Sequence, residues 1–204
     1  MNTYIMRRIK SITLFVSLLF LILYIPLTIA IYSQSWYEFN YRNNTIDSKT
    51  SISAIENVIS FFLYKDKLDL NIWSKKEIRH FSDVRNIYLF LHIFALLSFC
   101  VLLFLFDKRK MKKISTYIFV VILLLGTLFY FIDFSYFWNN IFHNILFYNQ
   151  DWIYTQNEMS YFLFPESFFV NSVVLIILGG MIINLLLFLY SLFSSKLNLF
   201  SSKP

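Results

Sequence analysis

The sequence predicts an all-α fold: a four-helix transmembrane bundle with two extracytoplasmic segments that carry interfacial amphipathic helices. Three observations predict it. The 204 residues are 58% hydrophobic and only 15% charged, with mean hydropathy +0.60. A soluble domain of that length has no interior large enough for so much apolar surface. Four stretches free of Asp, Glu, Lys and Arg are each long enough to cross about 30 Å of hydrocarbon as a helix. The charges between those stretches then sort by side.

The first span runs from about Ser11 to Tyr32, the second from Ile87 to Phe106, the third from Ile114 to Ile132 and the fourth from Asn171 to Ser194. Helix is the form that satisfies every backbone group within lipid, since an open strand would leave its edges unpaired. The apolar run of the first span exceeds the 7 to 15 residues of a cleaved signal segment, so an uncleaved anchor is expected despite the Thr28-Ile29-Ala30 triplet. The chain reads as one integral membrane domain, residues 1–204.

Lys and Arg at the span ends set the orientation. Residues before the first span, the connector Asp107 to Lys113, and the tail with Lys196 and Lys203 together hold ten basic residues and one acid. The segment 33–86 holds eight basic and seven acidic residues, and the segment 133–170 holds four acids and no Lys or Arg. Both termini are therefore expected in the cytoplasm and both long segments outside. The net charge of +6 belongs to this sorting and gives no basic stripe for nucleic acid. A single cysteine, Cys100, lies in an apolar run and reads as a packed small hydrophobe; it permits no intrachain disulfide.

In the first outer segment, Asn43-Asn44-Thr45 matches a glycosylation acceptor. From Ile52 to Leu70 the residues Ile55, Val58, Ile59, Phe62 and Leu63 recur at helical spacing and predict an amphipathic helix. In the second, Phe134, Phe137, Trp138, Ile141, Phe142, Ile145 and Leu146 recur every three or four positions. They predict an interfacial helix, either separate from the third span or continuous with it. A polar bend, Asn149-Gln150-Asp151, ends in Trp152, and Pro165 with Glu166 suits the start of the fourth helix.

Two histidines, His80 and His143, fall in these outer segments. His80 precedes Asp83 by three residues, so on a helix the carboxylate can fix its tautomer and leave the other ring nitrogen to move a proton. The plainer alternative is a solvated interfacial histidine beside a helix-capping acid. His143 is flanked by aromatics and amides, and its plainer reading is a ring packed at the interface. His92 lies inside the second span, as an interhelical polar contact or a group behind the site. Glu166 is either a helix-start carboxylate or a site acid. No H-E-x-x-H motif, cysteine cluster, G-x-S-x-G, P-loop or G-x-G-x-x-G is present, so neither a metal nor a cofactor is expected.

His80-Phe81-Ser82-Asp83-Val84, Phe142-His143 and Phe164-Pro165-Glu166-Ser167-Phe168-Phe169, in this order around four spans, resemble the lipoprotein intramolecular transacylase family, called Lit. The resemblance covers nearly the whole chain in layout. One departure is that Trp152 is followed by Ile153-Tyr154 rather than by the family's Asp-Pro turn. The resemblance implies a multi-pass enzyme of the bacterial cytoplasmic membrane, with its active site on the extracytoplasmic side. Its substrates would be diacylglyceryl-modified lipoproteins held at the membrane lipid. The sn-2 acyl chain would move to the cysteine α-amine, giving an N-acyl lyso-form lipoprotein. His80 and His143 would carry the catalysis, with Asp83 orienting His80, Glu166 orienting His143 or the ammonium, and Trp152 and His92 nearby. The alternatives are a non-enzymatic membrane protein that binds lipid or a partner, and a metal-dependent membrane hydrolase.

Overall fold

The computed structural model describes residues 3–41 and 47–201, with side chains to residue 193. Asn43 to Thr45 and Lys203 lie outside the described residues, and the side chain of Lys196 lies outside the described side chains. Helix accounts for all regular structure among the described residues. The order is α1 Thr3–Tyr32, α2 Gln34–Asn40, α3 Ser48–Phe62, α4 Lys75–Leu105, α5 Lys108–Phe131, α6 Phe134–Tyr136, a π-helix Phe137–Phe142, α7 His143–Leu146, α8 Met159–Leu163 and α9 Glu166–Ser201.

Helices α1, α4, α5 and α9 are long and apolar enough to cross a membrane. Each corresponds to an expected span, but the helices outrun the apolar stretches. Helix α4 has 31 residues and starts twelve positions before Ile87. Backbone hydrogen bonding continues through these polar turns because Ser74 and Glu77 form a capping box. The Ser74 N–H donates to Glu77 Oε2 at 2.7 Å, and the Glu77 N–H donates to Ser74 Oγ at 3.2 Å. Helix α4 therefore presents His80 and Asp83 on rigid helix, ahead of its apolar run.

The chain divides into two compact units that share the long helices. The first comprises residues 1–26, 92–130 and 176–204. Its core is Leu14, Leu18, Ile22, Met111, Ile114, Ile118 and Ile122. Small residues let helices approach within it: a Cβ on Gly179 would lie 2.8 Å from Pro26 Cβ. Ser115 Oγ donates to Asn184 Oδ1 at 2.8 Å, and Asn184 Nδ2 returns a bond to the Ser115 carbonyl at 3.0 Å.

The second unit comprises residues 27–91 and 131–175. Ile55, Val58 and Phe62 of the expected amphipathic helix are buried in its core with Tyr37, Phe61, Trp73, Phe81 and Leu163. The helix stops at Phe62 rather than Leu70, and Leu63 is exposed. Asn57 explains the stop. Its side chain donates to the Lys67 carbonyl and accepts from the Asp69 N–H and Trp73 Nε1, folding 63–74 into a polar turn. The expected continuity of the third span with the next helix is also corrected. Helix α5 ends at Phe131, and Asp133 caps α6 by accepting from the Tyr136 N–H at 3.0 Å.

Candidate active site

His80 and His143 both belong to the second unit, and both are buried, at 5% and 6% exposure. Their ring centroids lie 6.1 Å apart with an interplanar angle of 34°. Phe147 lies against both, 4.7 Å from His80 and 5.6 Å from His143. Tyr154 meets the other side of His80 edge-on at 5.9 Å, and Trp152 stacks on His143 at 4.3 Å.

The local fold at His143 explains its inward turn. The apolar stripe of this segment is half-buried at Phe134, Phe137, Trp138 and Phe142 and exposed at Ile141, Ile145 and Leu146, whereas His143 beside it is buried. The segment Phe137–Phe142 winds as a π-helix, so that Trp138 stands five residues before His143 as its hydrogen-bond partner. The His143 backbone N–H bonds to the Trp138 carbonyl, and His143 Nδ1 lies 2.7 Å from that same oxygen. A carbonyl only accepts, so Nδ1 carries the proton and Nε2 holds the free lone pair. Burial pushes the His143 imidazole below its ordinary range, and the carbonyl bond opposes part of that shift.

His80 has the opposite environment. Its Nδ1 is buried without a hydrogen-bond partner among the described residues. Asp83 does not orient it, which corrects the sequence expectation. The Asp83 carboxylate instead accepts from Asn149 Nδ2 at 3.1 Å. Glu166 does not orient His143 either. It is exposed in the first turn of α9, where the helix dipole favours a carboxylate. His92 belongs to the first unit, its ring edge-on to Tyr24 at 5.7 Å.

Three features escaped sequence reasoning. Glu77 is 1% exposed, and besides its capping box it accepts from the Ser160 N–H at 2.7 Å, which ties α8 to α4. The Ser-x-x-Glu signature at residues 74–77 was the signal that could have found it. Arg79 grips Asp151 with two bonds, 2.8 Å from Nε and 3.0 Å from Nη2. This holds the Asp151 carboxyl below its usual range and fixes the residue next to Trp152. Phe147 and Tyr154 form walls of the cluster, and no local pattern marks either one. Trp152 Nε1 is also buried without a hydrogen-bond partner among the described residues. Among the described residues, no group of three or more His, Cys, Asp or Glu side chains could hold a metal ion.

The arrangement therefore offers one imidazole with a fixed lone pair and a second with an unengaged ring nitrogen, inside an aromatic enclosure. That set can transfer a proton and stabilise a developing negative charge.

The family model for the lipoprotein intramolecular transacylase Lit matches residues 12–169. A comparison with curated protein sequences gave no match. Among solved structures, the chain is similar to the membrane integral lipoprotein intramolecular transacylase Lit from Bacillus cereus, with a TM-score of 0.76 and 20% identity, covering 94% of this chain and 98% of that one. Two structures of the Bacillus cereus protein with one histidine replaced, by arginine or by alanine, each give a TM-score of 0.69 at 20% identity. They cover 95% and 97% of this chain, and 95% and 100% of theirs.

Proposed function

The chain belongs to the lipoprotein intramolecular transacylase family, and from that premise we propose that it moves the sn-2 acyl chain of a diacylglyceryl-cysteine to the cysteine α-amine. The observation that carries this reading is the facing pair of buried imidazoles, one of them with its tautomer set by the Trp138 carbonyl. The substrate is the N-terminus of a lipoprotein, and the product is its N-acyl lyso form. The site faces the extracytoplasmic side, as the charge sorting of the connecting segments favours. A small-molecule cofactor has no role in this account.

Amine and ester belong to one molecule. Attack closes a ring of about eight atoms, so holding that geometry supplies much of the rate by proximity. The amine nitrogen bonds to the acyl carbon, and the bond from that carbon to the glycerol sn-2 oxygen breaks. One proton passes from nitrogen to that oxygen, with no net change. His143 Nε2 takes the proton, because its lone pair is free and the imidazolium so formed keeps its Nδ1–H bond to Trp138. His143 then returns the proton to the departing oxygen. His80 donates a ring N–H to the oxyanion of the tetrahedral intermediate.

The test is mass spectrometry of a lipoprotein's N-terminal lipopeptide from a bacterium whose lipoproteins keep a free α-amine, expressing this protein or its His80→Ala or His143→Ala form. We expect an acyl chain on the amine with a mono-acyl glycerol, lost in both variants. An unchanged diacylglyceryl lipopeptide, with the wild-type protein present in the membrane, would overturn the reading.

A further inference from the structure

A groove of about 270 Å³ opens in the second unit, lined by Asp83, Asn86 and Ile87 of α4 and by Phe147, Tyr148 and Asn149 of the other segment. One wall, Phe147, is the ring that lies against both histidines. The rest of the lining mixes the apolar side chains of Ile87 and Leu146 and the Tyr148 ring with three polar side chains, Asp83, Asn86 and Asn149. One oxygen of Asp83 is held by Asn149, while Asn86 and Asn149 are exposed. Carboxamides each carry donors and an acceptor, as a peptide backbone does. No Lys or Arg lines the groove.

We propose that this groove binds the peptide that follows the acylated cysteine, by main-chain hydrogen bonds to Asp83, Asn86 and Asn149. The proposal rests on the transacylase reading and names the part of the substrate which that reading leaves unplaced. When the cysteine amine lies between the imidazoles, the next residues must leave the aromatic enclosure. Each extended residue advances the chain by about 3.3–3.6 Å, and Phe147, which lies against both histidines, also lines the groove. The groove has room for a short stretch of chain and offers its backbone three polar side chains. Asp83 accepts a backbone N–H through a charge-assisted bond, which is stronger than a neutral one. This gives Asp83 a role in binding where the sequence had placed it behind His80.

The experiment compares two synthetic substrates with purified full-length protein in lipid: diacylglyceryl-cysteine amide, and the same head extended by a neutral tetrapeptide. We expect wild type to show a KM lower by about tenfold for the extended substrate, the factor that 1.4 kcal/mol of binding provides. Asp83→Asn and Asn86→Ala should shrink that difference toward none. Equal KM values in wild type, or an undiminished difference in both variants, would overturn the proposal. Transfer from neither substrate would overturn the transacylase reading and the groove with it, whereas transfer without peptide preference overturns the groove alone. A second measurement needs no variant. The extended substrate carrying a diazirine at its second residue should crosslink to residues 146–149 or 83–87 of the wild-type protein. Capture confined to other residues would contradict the assignment.

Discussion

In the first unit, Ser115 and Asn184 close on each other across α5 and α9 with three hydrogen bonds, of 2.8 to 3.1 Å. Among the described residues of the second, four buried side-chain atoms lack a hydrogen-bond partner: His80 Nδ1, Arg85 Nε, whose guanidinium stacks on Phe61, Trp152 Nε1 and Ser160 Oγ. Buried polar groups in native proteins are nearly always bonded, and each exception calls for a reason. Under the proposed function, the unengaged nitrogens of His80 and Trp152 are groups that a substrate would engage. Two of the four sit on the histidine cluster, which is where the family's chemistry is expected.

That contrast can be broken most severely at the histidines. His80→Ala or His143→Ala should lower the transfer rate by about 10²–10⁴-fold, the range of a positioned proton-transfer group, while the variant stays folded. Single-turnover product formation measures the loss. Next comes Trp152→Ala, which removes the ring stacked on His143. Misplacing a catalytic group by about 1 Å costs on the order of 10²-fold, so kcat should fall by up to that factor. Trp152→Phe should restore part of it.

Acid pH sharpens the comparison. His143 is held below the ordinary imidazole value of about 6.5. The substrate amine, near 7.7–8.0 by itself, controls kcat/KM first. Log kcat/KM should fall with slope near one below that value and should steepen to about two only below pH ~6.5. A second break at or above 6.5 would exclude His143 as the base. The same shift has a stability sign. The folded protein resists protonating His143, so the unfolded chain binds more protons below about pH 6.5 and stability is lost as the pH is lowered through that range.

Smaller effects belong to the supports. Arg79→Lys keeps the charge but loses the two-pronged grip on Asp151. It should lower kcat less than Trp152→Ala while leaving KM for the lipid head nearly unchanged. In the first unit, Asn184→Leu removes the interhelical clasp. It should cost about 0.6–2 kcal/mol, read as a lower Tm, with kcat at the wild-type level. Loss of kcat with an unchanged Tm would erase the distinction between the units.

The long elements were legible in the sequence because apolar run length and helical period are local properties. Four spans and the Ile55, Val58 and Phe62 face follow from them directly. The positions of helix ends were less so. Glu77 extends α4 two turns and more ahead of Ile87, and Asn57 ends α3 early through bonds to residues ten or more positions away. At the site, the two histidines were visible as titratable groups in outer segments. What orients them was not. The partner of His143 is a backbone carbonyl reached through a π-helix, which leaves no mark on residue identity. The i,i+3 spacing of His80 and Asp83 is real, but Asn149, 66 positions away, takes the carboxylate. Arg79 and Asp151 are separated by 72 positions, and only the fold joins them.

The central claim is that the two imidazoles of the second unit perform acyl transfer within one molecule. Its most direct test is purified protein mixed with a synthetic diacylglyceryl lipopeptide whose sn-2 chain alone is deuterated, followed by mass spectrometry of the product. The account predicts the label on the α-amine of the same peptide in wild type and transfer slowed by about 10²–10⁴-fold in His80→Ala or His143→Ala. Label on a second, unlabelled peptide, or undiminished transfer in either variant, would contradict it.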